Sequence, residues 1–150
     1  MEKNIVLYIL LAIFAGFVVT LQGPINVELG KSLGSDYWSA FTSFAIGTVL
    51  ILLFIILTGQ KAPSITQFTS TAWWKYLGAI TGAIYVLSVI TVIPALGVGL
   101  ATILLMFSQL IMAMIIDHFG LFGYAVKSFS IERMIGVALM ALGIFLINRK

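Results

Sequence analysis

Between Tyr76 and Ile116 the chain runs for 41 residues without a charged side chain. As one helix this run would be about 60 Å long at 1.5 Å per residue, twice the ~30 Å hydrocarbon core of a bilayer. It therefore has to turn. Near its middle stands Pro94-Ala95-Leu96-Gly97-Val98-Gly99, where proline and glycine permit a break. The run predicts two membrane helices joined by a hairpin that carries no charge.

The rest of the sequence agrees with a membrane solvent. Of its 150 residues, 61% are hydrophobic and 9% charged, against about 25% charged in soluble domains. Apolar segments at about 5–26, 38–57, 73–93, 96–116 and 133–147 each approach the ~20 residues a crossing needs. They predict an all-α integral membrane protein with five transmembrane helices in a single transmembrane domain, 1–150. Loops are expected at 28–36, 59–71 and 117–132. Trp38, Trp73, Trp74, Tyr76, Phe119, Phe122 and Tyr124 fall where aromatic belts meet the headgroups. The first apolar run lacks a small-residue cleavage pattern, so the first helix is expected to be retained.

Five crossings place the two termini on opposite sides. One side then carries Lys3, Lys61, Lys75, Lys127 and Arg133, and the other Lys31, Arg149 and Lys150. This bias leans toward a cytoplasmic N-terminus under the positive-inside rule, and it is small enough to allow insertion in both orientations. The cations are scattered singly, which argues against a nucleic-acid partner.

Small residues four apart recur at Ala12 and Gly16, Ser43 and Gly47, and Gly78 and Gly82. Such pairs let helices approach closely in lipid. They specify packing, within one chain or between chains, and say nothing about a substrate.

Polar residues concentrate at the end of the first segment, Gln22-Gly23-Pro24-Ile25-Asn26-Val27-Glu28. Gln22 and Asn26 share a helix face, and Pro24 removes a backbone donor between them. Polar groups at membrane depth face a bundle interior or a wet cavity, so this pair is either a substrate contact or helix glue. Ser108-Gln109 is the polar point of the fourth segment, and its carboxamide needs a partner: Gln22, Asn26 or a solute. Thr81, Tyr85 and Ser88 lie on one face of the third. Substrate-binding candidates are therefore Gln22, Asn26, Tyr85, Ser108 and Gln109. Glu28, Asp117 and His118 are the proton-linked candidates, since a carboxylate beside a histidine can relay protons; the last two also read as a helix end signal.

There is no phosphate loop, no paired carboxylate within one span and no credible Ser-His-Asp set, so an enzyme is not expected. With no Cys and a single His, neither a metal site nor a cofactor is expected.

Gln22-x-x-x-Asn26, Ser43-Phe44-Ala45-Ile46-Gly47-Thr48, Trp73-Trp74-Lys75-Tyr76-Leu77-Gly78, Pro94-Ala95-Leu96-Gly97, Gln109 and above all Ile116-Asp117-His118-Phe119-Gly120-Leu121-Phe122-Gly123 together resemble the YdcZ family of small bacterial inner-membrane proteins. The resemblance runs over essentially the whole chain. It implies the drug/metabolite transporter (DMT) superfamily, a multi-pass location in the bacterial inner membrane, and a five-helix chain that is half of a ten-helix transporter. Paired and fused members imply antiparallel dimers. The small multidrug resistance relatives use an acidic residue in the middle of helix one, and Leu10 to Val19 contains none, which argues against simple proton/cation antiport.

The expected function is secondary transport, by default export, of a small organic metabolite or drug-like solute. The expected working form is an antiparallel, dual-topology homodimer with a midplane cavity lined by the five candidate residues. The rival is a non-transporting assembly partner or accessory subunit, whose polar residues would only bind helices together.

Overall fold

The computed structural model describes residues 4–149, so Lys3 and Lys150 of the charge count lie outside the described residues. It contains helices α1 (Ile5–Leu33), α2 (Asp36–Leu57), α3 (Ile65–Ser70), α4 (Leu77–Leu96), α5 (Val98–Phe119) and α6 (Ile131–Asn148), with short 3-10 turns at Trp73–Tyr76 and Leu121–Gly123. No strand occurs among the described residues. Five helices are long and apolar enough to cross a membrane: α1, α2, Trp73–Leu96, α5 and α6. The chain is an all-α protein with five membrane-spanning-capable helices.

The expected loop at 59–71 contains the short helix α3, and α5 runs to Phe119, past the expected end at Ile116; helix boundaries depart most from the sequence expectation in two other places. The first span does not end at Asn26, because α1 runs through Pro24 to Leu33. A proline inside a helix leaves the carbonyl four residues earlier, here that of Thr20, without its helical N–H donor. The expected loop at 28–36 shrinks to Gly34-Ser35. Gly34 adopts φ 68°, and the Gly34 and Ser35 N–H groups return to the Lys31 and Gly30 carbonyls at 3.4 and 3.0 Å, which satisfies acceptors that a helix end leaves open. Ser35 then caps α2, its Oγ accepting from the Trp38 N–H at 3.4 Å. The second departure is the break in the uncharged run. It falls on Gly97 alone, at φ 78° and ψ 160°, while Pro94 stays inside α4.

The chain forms two compact units, Met1–Ala95 and Leu96–Lys150. In the first, α1 meets α2 and α4 at glycines. A Cβ on Gly30 would lie 2.9 Å from Asp36 Oδ1, and one on Gly23 would lie 2.5 Å from Ile93 Cδ1 and 3.0 Å from Val89 Cγ1. Val27, Ala40, Val86, Val89, Ile90 and Ile93 are buried around these approaches. Ser39, fully buried, donates its hydroxyl to the Asn26 carbonyl at 2.6 Å. In the second unit α5 packs on α6, with Met114 buried.

Much of the apolar surface has no protein neighbour. Every residue of α1 from Ile5 to Val19 is exposed, and a Cβ on Gly16, Gly47 or Gly78 would meet nothing within 4 Å. Of the glycines in the small-residue pairs, Gly82 alone has a neighbour that close, the Phe44 ring at 3.9 Å.

Candidate functional site

Gln22 lies about 16 Å along α1 from Leu33 and about 26 Å from Ile5 at the helical rise, within the membrane-spanning helix and nearer its Leu33 end. On its α2 side it lines an open cleft of about 160 Å³ with Ser43, Phe44, Gly47, Thr48 and Ile51. The gap exists because Gly47 presents no side chain opposite it. Thr48 commits its hydroxyl to the Phe44 carbonyl of its own helix at 2.8 Å. Among the described residues no hydrogen bond reaches the Gln22 carboxamide or the Ser43 hydroxyl. In hydrocarbon an unpaired carboxamide costs several kcal/mol, so Gln22 requires water, a solute or another chain.

Asn26 is separated from Gln22 in environment although both belong to α1. It is 4% exposed, sits against α2 where its carbonyl receives the Ser39 hydroxyl, and does not line the cleft. Glu28 projects outward and pairs with Lys31 at 2.6 Å, the two side chains being 71% and 65% exposed. It is a surface ion pair.

On α4, Tyr85 is half-buried. Thr81 and Ser88 donate to the Gly78 and Ile84 carbonyls of their own helix at 3.0 and 2.8 Å. Ser88 also borders a second open cleft in this unit, about 450 Å³, with Asp36, Tyr37, Ile84, Leu87, Thr91 and Val92.

In the second unit Ser108 donates to the Leu105 carbonyl at 2.9 Å, while Gln109 is exposed and makes no hydrogen bond among the described residues. Asp117 and His118 build a clasp between the end of α5 and the start of α6. The Lys127 N–H donates to the Asp117 carbonyl at 2.8 Å, and Arg133 Nη1 lies 3.4 Å from both Asp117 Oδ2 and the Lys127 carbonyl. His118 Nδ1 accepts the Phe129 N–H at 3.3 Å, with the Phe129 ring stacked on the imidazole at 4.3 Å. An Nδ1 that accepts requires the tautomer bearing its proton on Nε2. Gly120 ends α5 at φ 59°, where a Cβ would lie 2.8 Å from Val126 Cγ2. These residues therefore hold a loop in place.

Ser43 and Gly47 stand in the sequence as a small-residue pair, and nothing in the sequence joins Thr48 to Gln22. Their signal was the i, i+4 spacing; which helix they face is a tertiary fact. Among the described residues no group of three His, Cys, Asp or Glu could hold a metal ion.

The sequence model of a family described as "Putative inner membrane exporter, YdcZ" matches residues 7–146. No curated protein and no solved structure matches the chain.

Proposed function

Because that match spans nearly the whole sequence, the chain belongs to the YdcZ family, a multi-pass inner-membrane group in keeping with the DMT superfamily, and we propose that it exports a small organic solute as an antiparallel, dual-topology homodimer. The observation that carries this is Gln22, an unpartnered carboxamide at membrane depth beside a cleft shaped by Gly47, Ser43 and Thr48. A transported solute, reached through water, would supply the hydrogen bonds the single chain withholds. Gln109 and Ser108 on α5 and Tyr85 on α4 are the other side chains proposed to meet it, with Asn26 behind Gln22.

Two further features support a second copy. The glycines at 16 and 78 face open space, so small-residue spacing not used within the chain is available between chains. An inverted partner would place like surfaces on both sides of the membrane, the symmetry that alternating access uses. Proton coupling finds less support: Glu28 is a surface pair, and Asp117 and His118 serve the clasp. The transport role calls for no catalytic residue and no cofactor.

The test is a flux screen in proteoliposomes comparing wild type with Gln22→Leu and Gln109→Leu. Flux that falls at least tenfold in Gln22→Leu supports the cleft. An identified flux that neither change alters removes the site assignment, and a dimer interface packed solid around Gln22 would favour the accessory-subunit role.

A further inference from the structure

The α5/α6 cleft of the second unit has a composition unlike the other clefts. Leu110, Ala113, Met114, Gly136 and Val137 make apolar walls around about 320 Å³, and the Asp117–Arg133 pair stands among the lining residues. The pair is loose: 3.4 Å apart, with side chains 36% and 33% exposed. Both contacts of Arg133 use Nη1 and are long for hydrogen bonds, so Nε and Nη2 keep donors to spare. Asp117 Oδ1 likewise has no hydrogen bond among the described residues. One cation and one anion thus stand side by side with unused hydrogen-bonding capacity at the mouth of a hydrocarbon groove.

Position names the occupant. α5 has 22 residues, about 33 Å at the helical rise, close to the hydrocarbon thickness. Asp117, in its last turn, therefore lies at headgroup level, where Phe122 and Tyr124 are also exposed. From there to Leu110 the groove descends about 10 Å toward the membrane centre. We propose that this cleft holds a zwitterionic phospholipid with a primary ammonium headgroup, its phosphate on Arg133, its ammonium on Asp117 and the upper part of one acyl chain between α5 and α6. An anionic headgroup would set its phosphate against Asp117 with no compensating cation of its own. A choline headgroup brings the positive charge and has no N–H to donate.

Native mass spectrometry of the full-length protein, incubated with ethanolamine-, choline- and glycerol-headed phospholipids of identical chains, tests this. The ethanolamine lipid is retained about tenfold more than the choline lipid, as one charge-assisted hydrogen bond allows. Asp117→Asn brings that ratio near one. Gly136→Leu lowers retention of all three while keeping the ion pair, and a Cβ there meets nothing within 4 Å, so the fold accommodates it. Equal retention of the three lipids by wild type, or unchanged retention in Gly136→Leu, overturns the proposal. Should Asp117→Asn lose its helical circular dichroism, Gly136→Leu decides alone.

Discussion

The Ser39 hydroxyl donates to the Asn26 carbonyl across α1 and α2 at 2.6 Å, and Ser39 is fully buried where it does so. The asparagine acts here through its backbone. In lipid, where apolar side chains gain little by leaving the solvent, such a bond and the close packing at Gly30 fasten two helices. Ser39→Ala is expected to cost roughly 1 kcal/mol, read as a lower midpoint in a mixed-micelle unfolding titration. Asn26→Ala leaves the carbonyl in place, so its loss is expected to be smaller; an equal or larger loss would transfer the role to the carboxamide.

At Gly23 the Ile93 and Val89 side chains of α4 reach α1. Gly23→Ala pushes a methyl against Ile93 Cδ1 and Val89 Cγ1, both on buried residues whose branching at Cβ restricts χ1. Overpacking of this kind costs about 1–3 kcal/mol. Gly16→Ala, on the same helix where a Cβ would meet nothing within 4 Å, is expected to be neutral or slightly stabilising through helix propensity. The same unfolding titration separates the two.

These contrasts mark what was legible in the sequence. The five spans were, because a charge-free run of fixed rise has few ways to lie in a bilayer. Gln22 was legible as a polar group at depth, and its cleft was not, since Ser43, Gly47 and Thr48 reach it only once α2 turns toward α1. Gly23 and Gly30 make the close approaches, while the 12/16 pair faces outward and the 43/47 pair borders the cleft; spacing shows that a helix can be approached closely, not by what. The first loop was misplaced because Pro24 and Glu28 read as an ending. Pro24 is tolerated inside α1, and the left-handed Gly34 sets the actual stop.

Gly97 carries the break between α4 and α5 at φ 78° and ψ 160°, a region essentially restricted to glycine. Gly97→Ala is expected to destabilise the protein by about 1–3 kcal/mol. Gly99→Ala, helical and with open space around it, is expected to be tolerated. Equal effects of the two on thermal stability in detergent would show that the break does not depend on that backbone conformation.

The clasp at the end of α5 depends on Phe129, which supplies both an N–H to His118 and the stacked ring. Phe129→Ala keeps the N–H and removes the ring, so the 121–130 loop should open more often while the helices stay folded. Limited proteolysis is expected to cut this loop several-fold faster, with helical circular dichroism unchanged; an unchanged cleavage rate would place the loop's order in Gly120 and the Asp117–Lys127 bond instead. Histidine replacement by Gln, which offers an acceptor without a ring to stack, should show an intermediate rate.

The proposed homodimer is open to a test that leaves the single chain intact. Gly16 lies on a stretch of α1 that is exposed from Ile5 to Val19, and a Cβ there would meet nothing within 4 Å, so Gly16→Leu is expected to leave the fold of the single chain intact. If Ala12 and Gly16 form a close contact between copies, the leucine holds the helices apart and should weaken association tenfold or more, measured by energy transfer between labelled protomers in vesicles. Retained helicity together with lost association places the contact between chains. Unchanged association removes this face from the interface. Orientation is read separately: reporters fused at the C-terminus should signal on both sides of the membrane in comparable amounts, and a signal confined to one side would end the dual-topology reading while leaving a parallel dimer possible.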